Sequence, residues 1–162
     1  MTDFPRFDLA SHVALVTGAA RGLGRAISLA LAHAGADIAL GLRRKDSGAE
    51  LAREIEMMGR RALPLQMDVT HLDQIHSAVE EATAQFGRID ILVNNAGLGA
   101  ESPAEAVTEV DFDLTLAVNL KGTFFASQAA ERVMAPATRT YHQSELAGRL
   151  RCAPDGVRLL HD

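Results

Sequence analysis

Glycines 18, 22 and 24 of "TGAARGLG" (17–24) stand where an apolar, valine-rich run, "HVALVT" (12–17), gives way to residues at helical spacing. A glycine-rich turn between a strand and a helix suits one kind of chemistry: it offers backbone N–H groups to an anion. Gly18 allows the tight turn out of the strand, Gly22 the close approach of a pyrophosphate, and Gly24 the packing of the helix against the sheet. The partial positive charge of the helix N-terminus adds to the attraction. Turns need glycine for ordinary reasons too. It is the strand–turn–helix setting that favours dinucleotide binding here.

The elements that must hold this loop read as a regular alternation. Leu23, Ala26, Ile27, Ala30 and Leu31 recur at helical spacing, and Gly35 closes that helix. "DIALGL" (37–42) is a second strand. Ser47 and Glu50 have the spacing of a capping box before a helix striped by Leu51, Ile55 and Met58 and stopped by Gly59. "ALPLQM" (62–67) is a third strand, and Thr70 with Asp73 opens a helix that Gly87 ends. "IDILVN" (89–94) is a fourth, after which Thr108 caps a long helix reaching Met134. Short apolar strands alternating with helices predict an α/β fold: a parallel sheet in the order 3-2-1-4, helices on both faces.

Composition narrows the function further. With 162 residues, 48% hydrophobic and 23% charged, the chain suits one globular domain. A net charge of −5 without a basic run argues against nucleic-acid binding. The lone Cys152 excludes an internal disulfide, and the histidines form no pair at metal-ligand spacing with a third ligand. No apolar run reaches membrane-span length and no signal pattern opens the chain, so a cytoplasmic protein is expected.

With these motifs in order, residues 9 to about 134 resemble the short-chain dehydrogenase/reductase family, NAD(P)-dependent oxidoreductases with a Rossmann fold. "TGAARGLG" matches its Thr-Gly-x-x-x-Gly-x-Gly loop, bringing Thr17, Leu23 and the three glycines to the cofactor. Asp68–Val69 matches its adenine contact, and "NNAG" (94–97), with Asn95, Ala96 and Gly97, lies near the adenine ribose. "VNLKG" (118–122) sets Asn119 where the resemblance implies the catalytic asparagine. Singly, each has a plainer explanation: Asp68 as a turn residue, Asn94 and Asn95 as strand-end partners, Asn119 as a solvated helix residue. Together they imply a nicotinamide dinucleotide cofactor and, for the full-length family, an alcohol or ketone substrate.

Charge bears on which dinucleotide is bound. NAD-binding members carry an acid at the end of strand two, where this chain has Leu42, followed by Arg43. Arg43 and Arg21 match the pattern of members preferring NADP, since two guanidiniums can clamp a phosphate dianion. NADP is expected, with NAD the alternative if Arg43, Arg44 and Lys45 merely form a solvated loop.

The resemblance also implies a tyrosine acting as general acid/base, a lysine four residues later and a serine thirteen residues before. A phenol with an ordinary pKa of about 10 needs such a cation to work near neutral pH. Tyr141 does not qualify: Glu145 stands four residues on, Gln128 thirteen before, and no lysine follows Lys121. Residues 1–134 are therefore read as a partial Rossmann domain, and 135–162 as an aberrant, poorly structured tail with a polar pattern. On this reading the fourth strand leaves a sheet edge open to self-association or homo-oligomers. The tail is compatible with a shifted reading frame after about Met134, in which a serine overlaps Leu146, a tyrosine overlaps Leu159 and a lysine follows. One alternative is a non-catalytic dinucleotide-binding module that pairs with another chain. Another is a small flavodoxin-like protein, whose phosphate loop would be rich in Ser and Thr.

Overall fold

The computed structural model of the chain describes residues 8–99, 103–134 and 140–142. In chain order they form β1 (Val13–Thr17), α1 (Gly22–His33), β2 (Asp37–Leu42), α2 (Ala49–Met57), β3 (Ala62–Gln66), α3 (Leu72–Phe86), β4 (Ile91–Val93), α4 (Glu109–Leu116), α5 (Thr123–Glu131) and β5 (Thr140–His142). The sheet is parallel throughout, in the order β3-β2-β1-β4-β5. The expected order 3-2-1-4 is present.

A fifth strand corrects the expectation for the sheet edge. Thr140–His142 pairs with Ile91–Val93, so the far side of β4 is not left open. The pattern missed it because three residues are too few to show a period, although Thr and Tyr are both good strand formers. Otherwise the tail, with Leu146 and Leu159, lies outside the described residues.

Side chains alternate across the sheet and build a core on each face. Ala14, Val16, Ile38, Leu40 and Leu42 meet Ala32 of α1 and Leu51 and Ile55 of α2. Leu15, Ala39, Leu65 and Leu92 face the other way, against Ile75 and Val79 of α3 and Ala126 and Ala130 of α5. Pro64 is tolerated in β3 because that strand is an edge and pairs only with β2.

Gly35 and Gly87 follow α1 and α3 in the left-handed region, at φ +108° and +83°, as end signals should. Thr108 caps α4 as expected, its hydroxyl accepting from the Asp111 N–H. Two other caps differ. Ser47 sits in a 3₁₀ turn, Lys45–Gly48, and donates to the Arg44 carbonyl, so Gly48 becomes the N-cap of α2. Thr70 gives its hydroxyl to Asp68, and His71 takes the N-cap of α3 without a side-chain bond. In both places a short polar side chain found a closer partner than the helix end.

The long helix predicted from Thr108 is three pieces. Between α4 and α5, Ala117–Gly122 winds as a π-helix. Single π-turns inside α-helices occur frequently at functional sites. Asn119 lies in this one.

Candidate functional site

A cleft of about 640 Å³ opens where the C-terminal ends of β1 to β4 meet the loops that follow them. In an open α/β sheet this is the crevice where connections leave to opposite faces, here between β1 and β4.

The glycine loop forms one wall. Gly18 has φ +66°, and a Cβ there would come within 2.9 Å of the Ala96 backbone. At Gly24 a Cβ would lie 2.4 Å from both the Gly18 carbonyl and the Asn95 side chain. These two glycines let the loop, the helix and the β4 end close on one another. Gly22 is different: its φ is +56° and nothing stands within 4 Å of a Cβ placed there. That space belongs to the cleft. The N–H groups of Gly18 and Ala19 are directed to the Gly41 carbonyl at 2.8 and 3.3 Å. What remains for an anion is the first turn of α1, whose N-cap Arg21 makes no side-chain cap bond. Uncapped N–H groups beside an open glycine fit a pyrophosphate.

Thr17 does not line the cleft. It is buried, and its hydroxyl accepts from the N–H groups of Asn95 and Ala96, each at 3.0 Å. The Asn95 amide donates to the carbonyls of Thr17 and Gly18 at 3.0 and 3.2 Å. These bonds tie the glycine loop to the end of β4, so the two walls keep a fixed spacing. Asn94 points to the opposite side and donates to Ser127 of α5 at 2.9 Å.

Asn119 is held as firmly. Its Oδ1 accepts from the Leu98 N–H at 2.9 Å and its Nδ2 donates to the Leu98 carbonyl at 2.8 Å. One side-chain amide thus stands in for a peptide partner and fixes the chain just after Gly97.

Asp68 and Val69, after the end of β3, also line the cleft. Partial burial pushes the Asp68 carboxyl up, but hydrogen bonds from the Thr70 N–H and hydroxyl, with the charges of His71 and Arg43, outweigh it. The net effect holds Asp68 below the usual carboxylate range. Both Thr70 bonds fall on Oδ1, and Oδ2 has no partner among the described residues. An ionised carboxylate with a free oxygen can accept from an exocyclic amine.

Arg21, Arg43 and Arg44 border the same cleft, together with Leu42 and Ser47. The structure therefore brings together every cofactor-binding residue expected from the sequence except Thr17, which lies just behind the wall. Sequence reasoning missed Arg44 and Ser47. Arg44 is visible in the sequence as part of a basic run, whereas the spacing of Ser47 and Glu50 points to a helix cap. Among the described residues no group of three His, Cys, Asp or Glu could hold a metal ion, and no helix is long and apolar enough to cross a membrane.

Comparison with known proteins identifies the family. Residues 12–141 match the family model for short chain dehydrogenase. The chain is 42% identical over 126 residues to the 2-dehydro-3-deoxy-D-gluconate 5-dehydrogenase of Escherichia coli, covering 78% of this chain and 49% of that protein. It is 34% identical over 154 residues to the hydroxynaphthalene reductase-like protein Arp2 of Metarhizium acridum, covering 94% and 57%. The structure of a short chain dehydrogenase from Burkholderia cenocepacia in complex with NADP superimposes with a TM-score of 0.74 at 39% identity, over 80% of this chain and 53% of that one. The chain spans about half the length of the relatives it matches. Fold, glycine loop and family match converge on one assignment: the chain belongs to the short-chain dehydrogenase family.

Proposed function

We propose that this chain is the dinucleotide-binding half of an NADP(H)-dependent short-chain oxidoreductase and does not itself complete the reaction. The observation that carries the cofactor choice is the wall formed by Arg21, Arg43 and Arg44, with Leu42 where an acid would repel a phosphate. The family neighbour in complex with NADP supports the same choice. In this reading the first turn of α1 binds the pyrophosphate, Asp68 and Val69 hold the adenine, and Asn95, Ala96 and Gly97 border its ribose. The arginines take the 2′-phosphate.

A bound nicotinamide supplies hydride exchange with an alcohol or carbonyl carbon. This chain's own residues bind and orient the cofactor, and Asn119 holds the Leu98 backbone at the edge of the site. The family's tyrosine and its lysine have no match in this sequence, whose lysines are Lys45 and Lys121. Titration calorimetry tests the reading. NADPH should bind more tightly than NADH, and Arg21→Ala combined with Arg43→Ala should abolish the difference; tighter binding of NADH refutes it.

A second reading, a non-catalytic module that pairs with another chain, is favoured by one observation. Phe112, Leu120 and Phe124 are more than half exposed along α4, the π-turn and α5.

A further inference from the structure

The loop carrying the arginines is not held by the sheet that it leaves. Leu42 is the last residue of β2 and pairs with Gln66, the last of β3; one further backbone bond, from the Met67 N–H to the Leu42 carbonyl at 2.7 Å, ends the ladder between them. From there the Gln66 side chain continues it. Its Nε2 donates to the Arg43 carbonyl at 2.6 Å, and its Oε1 accepts from the Lys45 N–H at 3.1 Å. A carboxamide has a donor and an acceptor, as a peptide does, and here it takes one bond of each kind. A carbonyl on one side and an N–H on the other determine which end of the amide is which.

The same Nε2 lies 3.4 Å from the Gln74 Oε1, and that oxygen accepts from the Asp68 N–H at 2.9 Å. Two side-chain amides thus connect the arginine loop to the backbone of the neighbouring Asp68. Lys45, the third cation of the run, is turned away to Glu81 of α3 at 3.3 Å. Of the three, it is Arg43 and Arg44 that line the cleft.

We propose that Gln66 is a positioning residue for cofactor choice: by bridging Arg43 and Lys45 it fixes the loop so that the two arginines face the 2′-phosphate. The inference rests on the NADP reading above. Gln66 is exposed, so its bonds add little to global stability. Their effect is to remove freedom from a loop whose arginines must otherwise be ordered when the ligand binds.

Two small probes isolate the 2′-phosphate: adenosine 2′,5′-bisphosphate and 5′-AMP, titrated into the chain and its Gln66→Met, Gln66→Ala and Arg43→Ala variants. The parent should prefer the bisphosphate. Both Gln66 variants should lose about fivefold or more of that preference, the size of one or two neutral hydrogen bonds, while 5′-AMP affinity stays within about twofold. Amide exchange at Lys45 should quicken in both. If the preference survives in both Gln66 variants but falls in Arg43→Ala, the positioning role is wrong and the NADP reading stands. Equal weakening of both nucleotides makes Gln66 merely structural and overturns the proposal. No preference in the parent overturns both readings.

Discussion

The two sides of β1 are built to different standards. Toward β2 and β3 the pairing covers five residues at each step, and α1 and α2 bury Ala32, Leu51 and Ile55 against it. Toward β4 and β5 it covers three. There α5 buries Ala126, Ala129 and Ala130, yet Phe112, Leu116, Leu120 and Phe124 recur every fourth residue along an exposed stripe. The β2 side carries the arginine loop and Asp68, where the proposed function places adenosine, and the glycine loop after β1 closes against the end of β4 through Gly18, Gly24 and Asn95. The other side presents an apolar face of the kind that marks an interaction surface. In the proposed reading the adenosine site is present and the reacting pair is not, because no residue of this sequence matches the family's tyrosine and lysine.

The largest expected effect concerns reaction. With no tyrosine–lysine pair, NADPH consumption over a panel of ketones and aldehydes should stay at the protein-free background, and Tyr141→Phe should change nothing. Substrate-dependent turnover that Tyr141→Phe removes breaks the contrast between the two sides.

Next come the glycines. Gly24→Ala forces a Cβ onto the Gly18 carbonyl and the Asn95 amide. It should cost about 1–3 kcal/mol, as overpacking does, and lower the melting temperature by several degrees, with cofactor binding lost. Gly22→Ala has room in the free protein and pays only for its backbone, about 1–2 kcal/mol, yet its methyl would enter the ligand's space. NADPH affinity should fall at least about tenfold, with the milder effect on the melt. Equal melts for the two variants would show that the glycine side is looser than the geometry implies.

The exposed stripe gives the opposite kind of test. Phe112→Glu with Leu120→Glu should reduce self-association in sedimentation velocity while shifting stability within about 0.5 kcal/mol, as surface changes do. A parent chain that is already monomeric at high concentration would remove the reason for reading that face as an interaction surface between copies. The β4 edge is not the source of self-association expected here, since β5 pairs with it.

Asp90 stitches the two sides together. It is buried, accepts from the Val13 N–H of β1 at 2.9 Å and pairs with Arg88 just before β4. Burial pushes its carboxyl up, but the Arg88 and Val13 hydrogen bonds and the charges of Arg88 and His12 hold it below the usual range. A depressed folded value means that the stabilisation is fully present above the unfolded value of about 3.9. It is lost as the pH falls through the folded value. Asp90→Asn should cost about 1–3 kcal/mol at pH 7 and show a weaker loss of stability between about pH 5 and 3. An unchanged acid limb would place the pH sensitivity elsewhere.

Much of the adenosine side was legible because its signals are local. Glycines 18, 22 and 24 act within one turn, and the apolar runs of β1 and β2 announce strands buried on both faces. The unread features depend on partners far apart in sequence or on choices between near neighbours. Gln66 meets Arg43 and Lys45 only once β3 lies beside β2. The π-turn at Asn119 has the same apolar spacing as a plain helix, and its reciprocal bonds to Leu98 cross 21 residues. Ser47 and Thr70 had the right types for caps, but each had a nearer acceptor.

Thr70 supplies the smallest and most specific test, because it acts on a single carboxylate of the adenosine side. Its hydroxyl and N–H both bond Asp68 Oδ1, at 2.7 and 3.0 Å. Thr70→Val keeps the shape and the N–H but deletes the hydroxyl donor. The Asp68 carboxyl should then titrate at higher pH, because burial, which already opposes ionisation, is left with less opposition. Carbon-detected NMR of the side-chain carboxyls reads that change directly. Near pH 7 Asp68 remains ionised in either protein, so 5′-AMP affinity should drop by no more than about two- to threefold, the value of one modest hydrogen bond. A carboxyl that titrates as in the parent would mean that the backbone N–H, His71 and Arg43 are sufficient to hold it down. Loss of 5′-AMP binding at pH 7 would instead mean that Thr70 sets the position of Asp68 rather than its charge.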